Sequence, residues 1–81
     1  MHESNLIKDL LNKVAKQLAL DDVSRVSKIV VALSLFGGIK RDRFKEHFYQ
    51  FIKNTPWKDV KLEIKETEIG APLSFDSYEL S

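Results

Sequence analysis

The two histidines of this sequence are the side chains best suited to chemistry. His2 directly follows Met1, and His47 lies in the second half of the chain. The sequence has no cysteine, which excludes disulfides, thiol catalysis and thiolate zinc or iron–sulfur sites. No serine, histidine and acid are spaced as in a nucleophilic motif, and Gly37-Gly38 lacks the further glycines and the lysine of a phosphate-binding loop. The sequence therefore predicts a protein that is not an enzyme.

The first three residues offer nitrogen ligands for a metal ion. Met1 carries the α-amine and His2 an imidazole, and the backbone amides of His2 and Glu3 supply further nitrogens if they lose their protons. Four nitrogens in a plane suit Ni(II) or Cu(II), whereas Zn(II) prefers a tetrahedral set. Copper has the higher intrinsic affinity, so a preference for nickel would depend on metal supply and on partner proteins. The chemistry alone leaves open a second interpretation, an ordinary solvated terminus.

His47 is predicted to be a structural residue. It directly precedes Phe48, at the border of an apolar stripe. A histidine in such a place usually packs with its ring partly buried and its polar edge towards water.

Two amphipathic segments are predicted to be helices. Apolar residues at helical spacing indicate a first helix over residues 4–20, with Ser4 as its N-cap. A second helix is indicated over residues 41–53 and is ended by Asn54-Thr55-Pro56. The apolar stripe of this second helix consists of Phe44, Phe48, Phe51 and Ile52.

Three further segments are predicted to be strands, at residues 26–36, 60–65 and 73–80. The first is partly apolar on both faces, which is typical of a central strand. A strand–helix–strand order favours a parallel pair, and the short last connection through Gly70-Ala71-Pro72 favours an antiparallel hairpin. We expect an α+β fold in one domain of residues 1–81, with two helices packed on one face of a mixed three-stranded sheet in the order α-β-α-β-β.

Composition excludes several classes of function. Thirteen basic and twelve acidic residues give a net charge of +1, which argues against a nucleic-acid-binding protein. The longest strongly apolar stretch, residues 29–36, is too short to cross a membrane, and the first residues lack a secretion signal. We therefore expect a cytoplasmic protein without a membrane or nucleic-acid partner. Two open edges of a three-stranded sheet would allow a homodimer.

The order of these features resembles the HypA/HybF family, the nickel-incorporation accessory proteins of hydrogenase and urease maturation. The most specific element is the opening Met1-His2-Glu3 with Leu6, which looks like the family's MHE-x-x-L start. The other matching residues follow in the family's order: Arg25-Val26, Ile29-Val30-Val31, Phe36-Gly37-Gly38-Ile39, Phe44, Phe48, Thr55, Lys61-Leu62-Glu63-Ile64, Gly70, Leu73, Ser77 and Glu79.

The resemblance implies a transient Ni(II) site at Met1, His2 and Glu3. Met1 would contribute its α-amine, His2 its imidazole and amide, and Glu3 its amide or a supporting carboxylate. The implied partners are a nickel-incorporation GTPase and a nickel enzyme such as a hydrogenase large subunit.

The sequence also departs from the family. Members carry a zinc module with two CxxC pairs between the second and third strands. This chain has no cysteine, and its second predicted strand is followed almost directly by the turn at Gly70. We therefore expect no zinc. The turn after the first strand carries the basic pair Lys40-Arg41 where the family tends to have acidic residues, which would change partner recognition.

Three functions are compatible with these features. The first is a zinc-free nickel metallochaperone, and the second is a degenerate paralogue that acts as a protein-interaction domain without delivering metal. The third, a small RNA-binding domain, is disfavoured by the charge balance and by the absence of a pattern of aromatic residues for base stacking.

Overall fold

The computed structural model describes residues 3–18 and 22–81, apart from the side chain of Glu3. Two helices and three strands follow one another along the chain. They are α1 (Glu3–Leu18), β1 (Val26–Ser34), α2 (Arg41–Ile52), β2 (Lys61–Thr67) and β3 (Leu73–Leu80). A single 3-10 turn at Val23–Arg25 leads into β1, and the Asp22 carboxylate accepts a hydrogen bond from the Ser24 amide at its start. The predicted order α-β-α-β-β is confirmed.

β1 is the central strand of a mixed sheet with the order β2-β1-β3. β2 runs parallel to β1, with Ile29 beside Leu62. β3 runs antiparallel to β1, and an irregularity between Val30 and Val31 shifts its register. The predictions of a central first strand and of a parallel β1–β2 pair are therefore confirmed.

The predicted hairpin between the last two strands is wrong. Residues 68–72 cross the end of β1, where the Ser34 amide donates to the Pro72 carbonyl at 3.1 Å, and β3 then pairs with the far edge of β1. The crossing spans about 10 Å, or two strand spacings, which five residues easily reach. This order encloses the most apolar strand on both edges, whereas a hairpin would have left β1 at an edge.

One face of the sheet holds the hydrophobic core, and both helices pack on it, as predicted. α1 contributes residues at helical spacing, and α2 contributes Phe44, Phe48 and Ile52. They meet Ile29 and Val31 from β1. Burying a side chain of this size contributes about 1.5–3 kcal/mol before the entropy of ordering is subtracted. The buried residues of α1 are Ile7, Leu10, Leu11, Val14 and Leu18.

The other face of the sheet is covered by ion pairs that join its strands. Lys28 Nζ on β1 contacts Glu79 at 2.9 Å and Glu63 at 3.3 Å. An ion pair of 3.0 Å between Lys65 on β2 and Asp76 on β3 spans the central strand. Val30 lies on this face and is nevertheless only 4% exposed. Both faces of β1 are therefore covered, as predicted, but long charged side chains provide part of the cover on this face.

Several predicted boundaries differ from the structure. α1 begins at Glu3, so Ser4 is inside the helix and is not its N-cap; residues 19–20 of the predicted first helix lie outside the described residues. β1 ends at Ser34, because Leu35 and Phe36 leave the strand for an exposed turn. α2 ends at Ile52, one residue short of the prediction. The predicted bounds of β3 are confirmed.

Candidate metal site

The residues of the predicted metal site fall at the limit of what the structure describes. Met1 and His2 lie outside the described residues, and Glu3 is described only as the first residue of α1. Within the described ranges, no three histidine, aspartate or glutamate side chains form a group that could hold a metal ion.

The start of α1 has a chemical character of its own. The first amides of an α-helix have no acceptor within the helix, so the amide nitrogen of Glu3 is not committed to intrahelical hydrogen bonding. The partial positive charge of a helix N-terminus also disfavours an ammonium group close to it. Both effects favour the deprotonated nitrogens that a square-planar metal site needs.

A surface pocket of about 300 Å³ lies between the start of α1 and α2. Its walls are Ser4 from α1 and His47, Gln50 and Phe51 from α2. Phe51 was expected in the apolar stripe of α2, but it is 38% exposed and forms a wall of this pocket. The side chains around the start of α1 therefore include an imidazole, an amide and an aromatic ring.

His47 occupies this pocket with a half-buried side chain, so the prediction of partial burial is confirmed. The next residue, Phe48, has no exposed surface and lies in the core. The spacing of the apolar residues places His47 beside the buried stripe, but it does not identify the element that His47 faces. The contact with the start of α1 emerges only from the packing of the two helices.

Two pKa shifts arise from hydrogen bonds elsewhere in the molecule. The backbone amide and then the hydroxyl of Ser24 hold the pKa of the Asp22 carboxyl below its usual value. Glu79 and then Glu63 raise the pKa of the Lys28 ammonium. Both groups stabilise the sheet: Asp22 lies at the start of the turn that leads into β1, and Lys28 joins the strands on the face opposite the helices.

A second surface, the loop surface, consists of Leu35, Phe36 and Ile69. Phe36 is 82% exposed and Ile69 85% exposed. Their two loops are joined by a hydrogen bond of 2.8 Å from the Leu35 amide to the Thr67 carbonyl. The basic pair Lys40 and Arg41 follows at the start of α2. Exposed apolar side chains beside basic ones are typical of a protein-binding surface.

No helix in the described part of the chain is both long enough and apolar enough to cross a membrane.

Comparisons with known proteins give a family match over most of the chain and a similar solved fold. Residues 1–72 match the family described as "Hydrogenase/urease nickel incorporation, metallochaperone, hypA". The solution structure of the Ni metallochaperone HypA from Helicobacter pylori is similar, with a TM-score of 0.79 and 14% sequence identity over 99% of this chain and 97% of that chain. At this identity the likeness concerns the fold alone. No curated protein matches the sequence significantly.

Proposed function

We propose a function from the premise that this chain belongs to the HypA family of hydrogenase and urease nickel-incorporation metallochaperones. In this proposal the protein carries Ni(II) as cargo at Met1, His2 and Glu3 and passes it on during maturation of a nickel enzyme. The observation that carries the proposal is the Met1-His2-Glu3 start itself, which lies within the matched residues and offers nitrogen donors of the type that nickel prefers.

The position of Glu3 as the first residue of α1 supports the proposal. The α-amine of Met1 has a reference pKa of about 7.7–8.0 and must lose its proton to bind a metal. The uncommitted amide of Glu3 at the start of α1 is available as a further nitrogen donor.

The absence of cysteine shapes the rest of the proposal. With no thiolate in the sequence, we propose that the protein works without structural zinc and that the terminal nitrogens are its metal donors. Family membership suggests a nickel-incorporation GTPase and a hydrogenase large subunit, or a similar nickel enzyme, as its partners in the cytoplasm. We propose that the chain folds as one domain over residues 1–81.

A nickel titration of the untagged protein tests the proposal. Planar Ni(II) bound by nitrogen has a characteristic visible absorption band, and we expect this band to saturate near one ion per chain. His2→Ala removes the imidazole and should abolish the band, whereas Asn5→Ala, an exposed change in the first turn of α1, should leave it unchanged. A band of undiminished strength in His2→Ala would refute the assignment.

The loop surface favours a second candidate function, a protein-interaction domain without metal delivery. Leu35, Phe36 and Ile69 are exposed, and the adjacent Lys40 and Arg41 favour a partner with an acidic rim around an apolar contact. If this function is the sole one, Phe36→Ser should abolish maturation of the nickel enzyme in cells and His2→Ala should leave it intact. The opposite pattern would favour metal delivery.

A further inference from the structure

The outer edge of β2 directs backbone groups away from the sheet. β2 is an edge strand of the sheet β2-β1-β3. The Thr67 carbonyl accepts from the Leu35 amide at 2.8 Å on the side of β1, whereas the Leu62 amide donates to Tyr49 Oη at 2.9 Å on the opposite side. Successive residues of a strand direct their backbone groups to alternate sides. Leu62 and every second residue after it therefore direct their amide and carbonyl outward.

Ile64 and Glu66 are the next outward residues of β2. Tyr49 reaches only the amide of Leu62. Within the described part of the chain, no hydrogen bond reaches the backbone amide or carbonyl of Ile64 or Glu66 on this side. An open row of backbone donors and acceptors at a sheet edge is a template for a further strand. The β2 edge therefore offers a place for a peptide in an extended conformation.

A groove of about 380 Å³ lies between this edge and α2, and its charged lining is mainly basic. Lys28 and Arg41 are engaged in ion pairs with neighbouring glutamates. Lys45 and Lys61 are exposed and have no ion pair with any described residue, so the groove keeps an excess of positive charge. Its charged residues are Glu63 and four cations, Lys28, Arg41, Lys45 and Lys61.

We propose that the β2 edge binds an extended, acidic segment of a partner protein, which adds to the sheet as a fourth strand. The backbone of this segment pairs with Ile64 and Glu66. Its carboxylates meet Lys45 on the side of α2 and Lys61 on the face of the sheet opposite the helices. The proposal does not rest on nickel binding, and its failure would leave the nickel proposal untouched.

Charge distinguishes this occupant from others. The opposite edge strand, β3, carries the exposed residues Asp76 and Glu79 and no basic residue, so it repels an acidic segment. A second copy that paired symmetrically through β2 would bring the cations Lys45 and Lys61 of the two copies together, and like charges on adjacent strands are destabilising. An acidic strand from a different protein is free of both conflicts.

A synthetic peptide of alternating glutamate and valine, labelled with fluorescein, tests the proposal. A shift of one residue places its carboxylates on either face of the sheet. We expect saturable binding in fluorescence anisotropy that weakens as the salt concentration rises. The same peptide with two successive backbone amides methylated keeps its charge but cannot pair fully as a strand, and should lose binding. Equal binding of the methylated peptide, or no binding of the unmethylated one, would overturn the proposal.

Charge reversals in the groove test the role of its cations. Lys45→Glu and Lys61→Glu should each lower the affinity for the acidic peptide at least about threefold, because they replace an attraction by a repulsion. Lys58→Glu is the matched control, since Lys58 is exposed, does not line the groove and gives the same change in net charge. It should bind the peptide nearly as the unaltered protein does. Equal losses in all three variants would show a general attraction to net charge and would contradict a site at β2.

Amide hydrogen exchange locates the added strand. The Ile64 amide should exchange rapidly in the free protein and slowly with the peptide bound, whereas the Glu63 amide, which faces β1, should be protected in both states. An Ile64 amide that exchanges equally fast with bound peptide would refute strand addition. Protection of Ile64 without peptide, together with the mass of a dimer in light scattering, would assign the edge to a second copy and overturn the proposal.

Discussion

His47 and Phe48 are neighbours on α2, yet their side chains lie in two different regions of the molecule. Phe48 is fully buried in the core between the helices and the sheet. His47 is half-buried in a surface pocket beside the start of α1. One step along a helix turns a side chain by about 100°, which is enough to move it from the core to the surface. We therefore expect changes in the core to reduce the stability of the fold far more than changes in the pocket.

Removal of Phe48 should have the largest effect on stability. Phe48→Ala deletes a fully buried ring, which we expect to lower the free energy of unfolding by about 3–5 kcal/mol. A loss of this size approaches the whole stability of a small domain. His47→Ala should lower it by less than about 1 kcal/mol, because its side chain lies outside the core. Urea denaturation followed by circular dichroism measures both values. Equal losses would contradict the placement of Phe48 inside the core and of His47 outside it.

Gly37→Ala should be the next largest change. A Cβ atom at Gly37 would lie 2.7 Å from the Cα atom of Pro72, which is too close for two carbon atoms. The crossing loop would have to shift, and we expect a loss of about 1–3 kcal/mol in urea denaturation. Nickel binding should not change, because this contact joins the loops that follow β1 and precede β3 and does not involve the first three residues.

Gly38→Asn provides the control for this position. Gly38 has a φ of +80° but open space around it, and asparagine tolerates positive φ better than other residues do. We expect Gly38→Asn to cost less than Gly37→Ala. The reverse order would show that backbone conformation, and not the contact with Pro72, limits this loop.

Tyr49→Phe should weaken the contact between α2 and the sheet by a smaller amount. The Leu62 amide donates to Tyr49 Oη at 2.9 Å, so α2 covers part of the β2 edge. Loss of this hydrogen bond should reduce stability by about 1 kcal/mol. Tyr78→Phe is the control, because its hydroxyl has no hydrogen-bond partner within the described part of the chain. Similar losses in the two variants would contradict the role given to Tyr49.

The ion pairs of Lys28 should have the smallest effect at neutral pH. Because Glu79 and Glu63 raise the pKa of Lys28, their stabilisation is complete below the unfolded value of about 10.4 and is lost as the pH rises through the folded value. Lys28→Met should therefore remove a small, salt-sensitive part of the stability at pH 7, and this loss should disappear at a pH above the folded pKa of Lys28. Denaturation at low and high ionic strength measures it, and a salt-independent loss would contradict an electrostatic origin.

Much of the fold can be predicted from the sequence, because the apolar pattern of a helix or strand depends only on residues that are close together along the chain. The apolar stripes predict both helices, and the apolar character of β1 on both faces correctly predicts its central place. The predicted position of β3 was wrong, because a short connection does not determine which strand the next one pairs with. β3 pairs with β1 instead of β2, and this encloses the most apolar strand on both edges. Trp57, which is buried after the end of α2, belongs to no periodic stripe and was not identified as part of the core.

The site shows a sharper division. Met1, His2 and Glu3 are predicted from residue type and from their place in the sequence, and this stays a prediction because Met1 and His2 lie outside the described residues. The place of His47 beside the start of α1 could not be predicted, because helical spacing gives the face of a residue but not the element opposite it. Only the packing of α1 against α2 brings Ser4 and His47 to one pocket.

Blocking the α-amine tests the central claim, that nickel binds at the first three residues, most directly. We compare the untagged protein with a variant that carries several Gly and Ser residues ahead of Met1, which leaves His2, His47 and the fold in place. We expect a planar Ni(II) band that saturates near one ion per chain in the untagged protein and is absent from the extended variant. An extended variant that binds Ni(II) with the same band and the same affinity would contradict it.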